Sequence, residues 1–110
     1  MSDLFEQQQV KTLTHFFRTG RDPFWTSLRE VIRGRGLTPD STWLARSHED
    51  DVRLDFGILV TGGRQVIQYA YHYPDDSGAN GRLTEWNDLT ETWATSPYSS
   101  EVSAALSMIG

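Results

Sequence analysis

The chain has 110 residues, fifteen acidic and ten basic side chains for a formal net charge of −5, and no cysteine. That length suits a single domain with one core, and the lack of cysteine excludes disulfides, thiolate metal sites and a thiol nucleophile. No charged and apolar leader opens the chain and no apolar run approaches the ~18 residues that cross a bilayer, so a soluble, cytoplasmic protein without membrane contact is expected.

Residues 3–18 have the pattern of a helix, with Asp3 as N-cap, Glu6 at the capping-box position, and Val10, Leu13, Phe16 and Phe17 on one side. Gly20 stops it. Asp22-Pro23 then pairs a capping residue with the residue best suited to the first helical position, and Phe24, Leu28, Val31 and Ile32 continue at helical spacing until Gly34 and Gly36. The short connection makes these two helices an antiparallel pair.

Thr42 to Ser47 is expected to form a first strand. Residues 51–73 carry period-2 alternation on both sides of Gly62-Gly63: Val52, Leu54, Phe56, Ile58 and Val60, then Ile67, Tyr69, Tyr71 and Tyr73. A two-residue Gly-Gly loop pairs Thr61 with Arg64 and sets Ile58 opposite Ile67, Phe56 opposite Tyr69 and Leu54 opposite Tyr71, with both apolar sets on one face. Pro74 to Gly81 is a loop by composition. Arg82 to Trp86 returns as a strand, and a helix is expected from about Asp88, where Asp88 and Glu91 make a capping box ahead of Leu89 and Trp93. A last helix starts at Ser99 or Ser100, with Val102, Ala105, Leu106 and Ile109 on one face. The expectation is one α+β domain over residues 1–110: an N-terminal helical hairpin, an antiparallel meander of three or four strands, and a C-terminal helix packed on one sheet face.

Charge is unevenly spread. Residues 1–37 hold six basic side chains against four acidic, and residues 38–110 four against eleven. The expected hairpin register gathers Glu49, Asp50 and Asp51 with Asp75 and Asp76 at the end opposite the Gly-Gly turn, five carboxylates that repel one another unless a cation or a basic partner neutralises them. The same register sets Arg53 against His72 with Asp55 on the same face, a possible polar site on the surface opposite the tyrosines. Trp86 is an aromatic side chain left over for a partner.

The Gly spacing of a phosphate-binding or dinucleotide-binding loop is missing, and the basic excess of the first third is too small for nucleic acid, so no cofactor, no metal and no nucleic-acid partner are expected. A protein-interaction role is favoured over catalysis: an acidic inhibitor or immunity-type protein masking a basic surface through Glu49, Asp50, Asp51, Asp75, Asp76 and Trp86, as a monomer or homodimer. The alternative is a small-molecule binding domain or enzyme with a pocket between sheet and helices, lined by Tyr69, Tyr71, Trp86 and His72.

Overall fold

The computed structural model describes residues 2–50, 53–74 and 81–109, with the side chains of Ser2 and Asp3 excepted. Helix α1 spans Ser2–Thr19, so it begins one residue before the expected cap, Asp3, whose side chain lies outside the described residues. Helix α2 spans Pro23–Gly34 with Asp22 at the N-cap and Pro23 in the first turn. It ends in a Schellman turn: Leu37 N–H donates to Ile32 O (3.1 Å), Gly36 N–H to Arg33 O (3.0 Å), and Gly36 takes φ +85°, which a Cβ would penalise. Arg29 ties the helices together by donating to Phe17 O (2.8 Å) and Gly20 O (2.7 Å), carbonyls that the end of α1 leaves without helical partners.

Strands β1 (Thr42–Glu49), β2 (Leu54–Thr61), β3 (Val66–His72) and β4 (Arg82–Asp88) form an antiparallel meander in the order β1-β2-β3-β4. Helix α3 spans Ser99–Ser107. The helix expected from Asp88 does not form. Strand β4 runs on to Asp88, Leu89 N–H still donates to Val66 O, and the Asp88 carboxylate accepts the Thr90 N–H (2.8 Å), which makes a local turn. Trp93–Thr95 contributes only one 3-10 turn before Pro97.

The β2–β3 turn departs from the expected geometry, and with it the register. Thr61 N–H donates to Gln65 O (2.9 Å), Arg64 N–H to Thr61 O (2.8 Å), and Gln65 N–H to the Thr61 hydroxyl (3.1 Å), which defines a three-residue loop. The left-handed position falls on Arg64 at φ 67°, while neither Gly62 nor Gly63 uses positive φ. Leu59 therefore faces Ile67, Gly57 faces Tyr69 and Asp55 faces Tyr71, one residue away from the two-residue alignment. A slip of one turns every side chain of a strand to the other face. The β1–β2 turn follows the same recipe: Asp50 N–H donates to Leu54 O, Arg53 N–H to Asp50 O, Leu54 N–H to the Asp50 carboxylate (3.1 Å), and Arg53 has φ 60°. Left-handed backbone costs a non-glycine residue about 1 kcal/mol, partly offset by the extra chain entropy of glycine. Arg64→Gly should thus stabilise the fold by roughly 0.5 kcal/mol in urea unfolding. A loss of stability would show that the Arg64 side chain contributes to the turn.

The two apolar sets of the hairpin consequently lie on opposite faces, and both are covered. On the tyrosine face, Leu44, Leu59, Ile67, Tyr69, Tyr71 and Tyr73 pack with Phe17 of α1 and Leu28 and Ile32 of α2. Phe24 meets Tyr71 and Tyr73 edge-on, and the Ser27 and Tyr71 hydroxyls are hydrogen-bonded. On the back face, Ala45, Ile58, Val60 and Val66 pack with Val10 of α1 and Val102, Ala104 and Ala105 of α3. Helix α1 runs along β1 and closes that edge of the sheet. The Thr14 hydroxyl accepts the Leu44 N–H (3.0 Å) and Arg18 donates to Thr42 O (3.1 Å), so side chains satisfy the backbone groups of the edge.

Candidate functional site

The sheet end at which the sequence places the acidic residues is built by the β1–β2 turn and the strand ends beside it. Glu49 closes β1 and is exposed; Asp50 opens the turn and spends one carboxylate oxygen on the Leu54 N–H. Arg53 Nη1 donates to Pro74 O (2.8 Å) and Tyr73 N–H donates to Arg53 O (3.2 Å), which holds the turn against the chain leaving β3. Asp51, Asp75 and Asp76 lie outside the described residues. Their sequence neighbours Asp50 and Pro74 belong to two segments joined through Arg53.

The structure does not assemble Arg53, Asp55 and His72 as the polar site expected from the sequence. His72 pairs with Leu54 and shares the back face with Phe56 and Ile58, whereas Asp55 pairs with Tyr71 on the tyrosine face. The three-residue loop is the cause. Asp55 is 1% exposed and accepts two hydroxyls, from Tyr69 (2.7 Å) and Ser47 (2.7 Å). Burial raises its carboxyl to about 6, against the lowering effect of those two hydrogen bonds, and Glu49 next to it adds to the rise. The Tyr69 hydroxyl is pushed well above its ordinary value by burial and then by the Asp55 charge. Glu49 faces Asp55 across β1 and β2, and the Tyr73 hydroxyl is raised in turn by burial and by the Glu49 carboxylate. Asp55 is therefore a structural carboxylate roofed by the sheet's own residues, away from solvent.

Gly57 makes this arrangement possible. It lies directly opposite Tyr69, and a Cβ at Gly57 would occupy the space of the Tyr69 Cε1, Cζ and hydroxyl. The phenol crosses the bare backbone of β2 and reaches Asp55 two residues along the same face. Sequence reasoning leaves the Tyr69–Asp55 pair unseen, since it is visible only in the shifted register.

Trp86 pairs with Tyr69 in β4, is half-buried on the tyrosine face and lies under the Arg35 guanidinium, 5.2 Å from the ring centre. It lies opposite the middle residue of β3 and is not brought to the β1–β2 turn. Tyr69 and Tyr71 are wholly buried against Phe24, Leu28 and Ile32, so the space they face is filled by side chains. A cavity of about 90 Å³ opens on the back face beside Arg46, His48, Phe56, Ile58, Gln68 and Tyr98, well below the size of an ordinary organic-ligand site. An open cleft of about 360 Å³ at the other end is lined by the polar residues Gln65, Asp88, Thr90, Glu91 and Thr92, without the apolar lining such sites use. Of the helical arginines, Arg18 and Arg29 serve backbone carbonyls. Among the described residues no group of three or more His, Asp or Glu side chains could hold a metal ion, and no helix is long and apolar enough to cross a membrane. No known family, curated protein or solved structure matches the chain.

Proposed function

We propose that this chain is a small acidic interaction domain that masks a basic surface of a partner protein, as an inhibitor or immunity-type protein does. The observation that carries the reading is the junction of the β1–β2 turn with the chain leaving β3. Arg53 joins the two segments at Pro74, and the carboxylates Glu49, Asp50, Asp51, Asp75 and Asp76 all belong to them by sequence. A concentration of one charge sign steers a complementary surface and selects against like-charged partners. The Asp55 carboxylate is buried and hydrogen-bonded to Tyr69 and Ser47, so it is no part of the proposed masking surface.

The test is capture from an extract of the native host by the wild-type chain and by a variant carrying Asp50→Lys, Asp51→Lys, Asp75→Lys and Asp76→Lys. A basic protein held by the wild type should bind the variant at least about tenfold more weakly, and its binding should weaken with added salt. Asp50→Asn keeps the oxygen that accepts the Leu54 N–H and separates loss of charge from loss of the turn. Equal retention of the same partner by wild type and quadruple variant, both folded by circular dichroism, would overturn the reading.

A further inference from the structure

The two edges of the sheet are treated differently. Helix α1 covers β1 and supplies Thr14 and Arg18 to its backbone, whereas among the described residues β4 pairs only with β3 and no helix packs extensively against it. An open edge carries outward backbone donors and acceptors that another strand can pair. We propose that β4 pairs antiparallel with β4 of a second copy of this chain, about a two-fold axis between Thr84 and Glu85, joining two four-stranded sheets into one.

The observation that selects this partner is the bulge in β4. Ala70 pairs with Glu85 and Tyr71 with Leu83, which leaves Thr84 as the extra residue. A bulge interrupts the alternation of faces. Leu83 and Trp86, opposite Tyr71 and Tyr69, therefore both lie on the tyrosine face although they are three residues apart. Arg82 and Glu85, opposite His72 and Ala70, both lie on the back face together with Asn87, opposite Gln68. Apart from the unpaired Thr84, the faces from Arg82 to Asn87 read back, tyrosine, back, tyrosine, back, so Arg82 shares a face with Asn87 and Leu83 with Trp86, symmetrically about the point between Thr84 and Glu85. Residues opposite each other in an antiparallel pair must share a face, and this centre satisfies that for the Leu83–Trp86 and Arg82–Asn87 pairs.

In that alignment Leu83 of each copy meets Trp86 of the other on the tyrosine face, an aliphatic-aromatic pair made twice. Arg82 meets Asn87 on the back face and lies diagonally across from Glu85 of the other copy, again twice, within reach of its long side chain. Arg82 and Glu85 are exposed in the single chain, while Leu83 and Trp86 are half-buried. Charge and apolar surface are both self-complementary. One strand pair makes a small interface, so the association is expected to be reversible at micromolar to submillimolar concentration. It uses none of the carboxylates at the acidic end, so it stands or falls separately from the proposed masking role.

Sedimentation velocity from low to about 500 µM chain tests it. The wild type should move from one chain of 12.5 kDa toward twice that mass. Arg82→Glu and Glu85→Arg should each turn two diagonal attractions into repulsions and weaken the dimer about tenfold or more. The double variant R82E/E85R exchanges the charges and should recover an affinity within a few-fold of wild type. A wild type that stays monomeric at the highest concentration overturns the proposal. So do single variants that dimerise like the wild type, or a double variant no better than the singles.

Discussion

Replacing Gly57 by alanine should lower the unfolding free energy by about 4 kcal/mol, the largest effect expected of any conservative change in the sheet. The added methyl group has nowhere to go: the Tyr69 ring and hydroxyl already fill the space above the glycine, and Tyr69 is wholly buried between the sheet and α2. Overpacking a close-packed core usually costs about 1–3 kcal/mol. Moving the ring also breaks its hydrogen bond to the Asp55 carboxylate, and losing a bond to a buried charged group costs a further 1.5–3 kcal/mol or so. Urea unfolding of four proteins separates the two causes. In a Tyr69→Leu background the phenol is gone, so Gly57→Ala should cost less than about 1 kcal/mol there. Equal costs with and without the tyrosine would mean that the glycine is needed for the backbone of β2 and not for the ring.

Stability should fall as pH rises from about 4 to about 6, by up to about 3 kcal/mol attributable to Asp55 alone. The folded carboxyl sits at about 6 against an ordinary value of 3.8. The folded state therefore binds the proton more tightly than the unfolded chain. Below the unfolded value both states are protonated and this contribution is fully present; between the two values the unfolded state has lost its proton while the folded state keeps it, and the contribution drains away; above about 6 the loss is complete. Asp55→Asn removes the titration while keeping an oxygen that can accept a hydroxyl. Measured by urea unfolding at pH 4 and pH 7, the variant should gain on the wild type by about 3 kcal/mol between the two conditions. A difference that stays constant with pH would show that Asp55 ionises in the folded protein as it does in the unfolded chain.

Much of the architecture was legible because it depends on local chemistry. Asp22-Pro23 opens α2 and Gly36 closes it, the apolar spacing puts Val10 and Phe17 of α1 and Val102 and Ala105 of α3 inward although Phe16, expected beside them, is exposed and Ile109 lies past the end of α3, and the turn-forming residues between 74 and 81 separate β3 from β4. Where two local signals competed, the reading failed. Asp88 and Glu91 resemble a helix start, but the β3 partner at Val66 draws Leu89 into the ladder and Asp88 is left to cap a turn. A trace of the true register was also present: Ile58-Leu59-Val60 and Val66-Ile67 are unbroken apolar runs, the mark of strands buried on both faces. The alternation accounts for only half of them.

The sequence by itself determined the α+β class, an antiparallel meander of three or four strands, a helix at each end and a surplus of acid in the second two-thirds of the chain, because propensity, caps, turns and composition act over a few residues. Only the tertiary structure decided which face each strand presents. Gly62-Gly63 is compatible with a loop of two residues or of three, and the choice depends on filling both sides of the sheet, with α2 against the tyrosines and α3 against Ile58, Val60 and Val66. That one-residue choice buries Asp55 beneath Tyr69, separates it from His72, and leaves the acidic turn and the open β4 edge as the surfaces on which partner recognition can be tested.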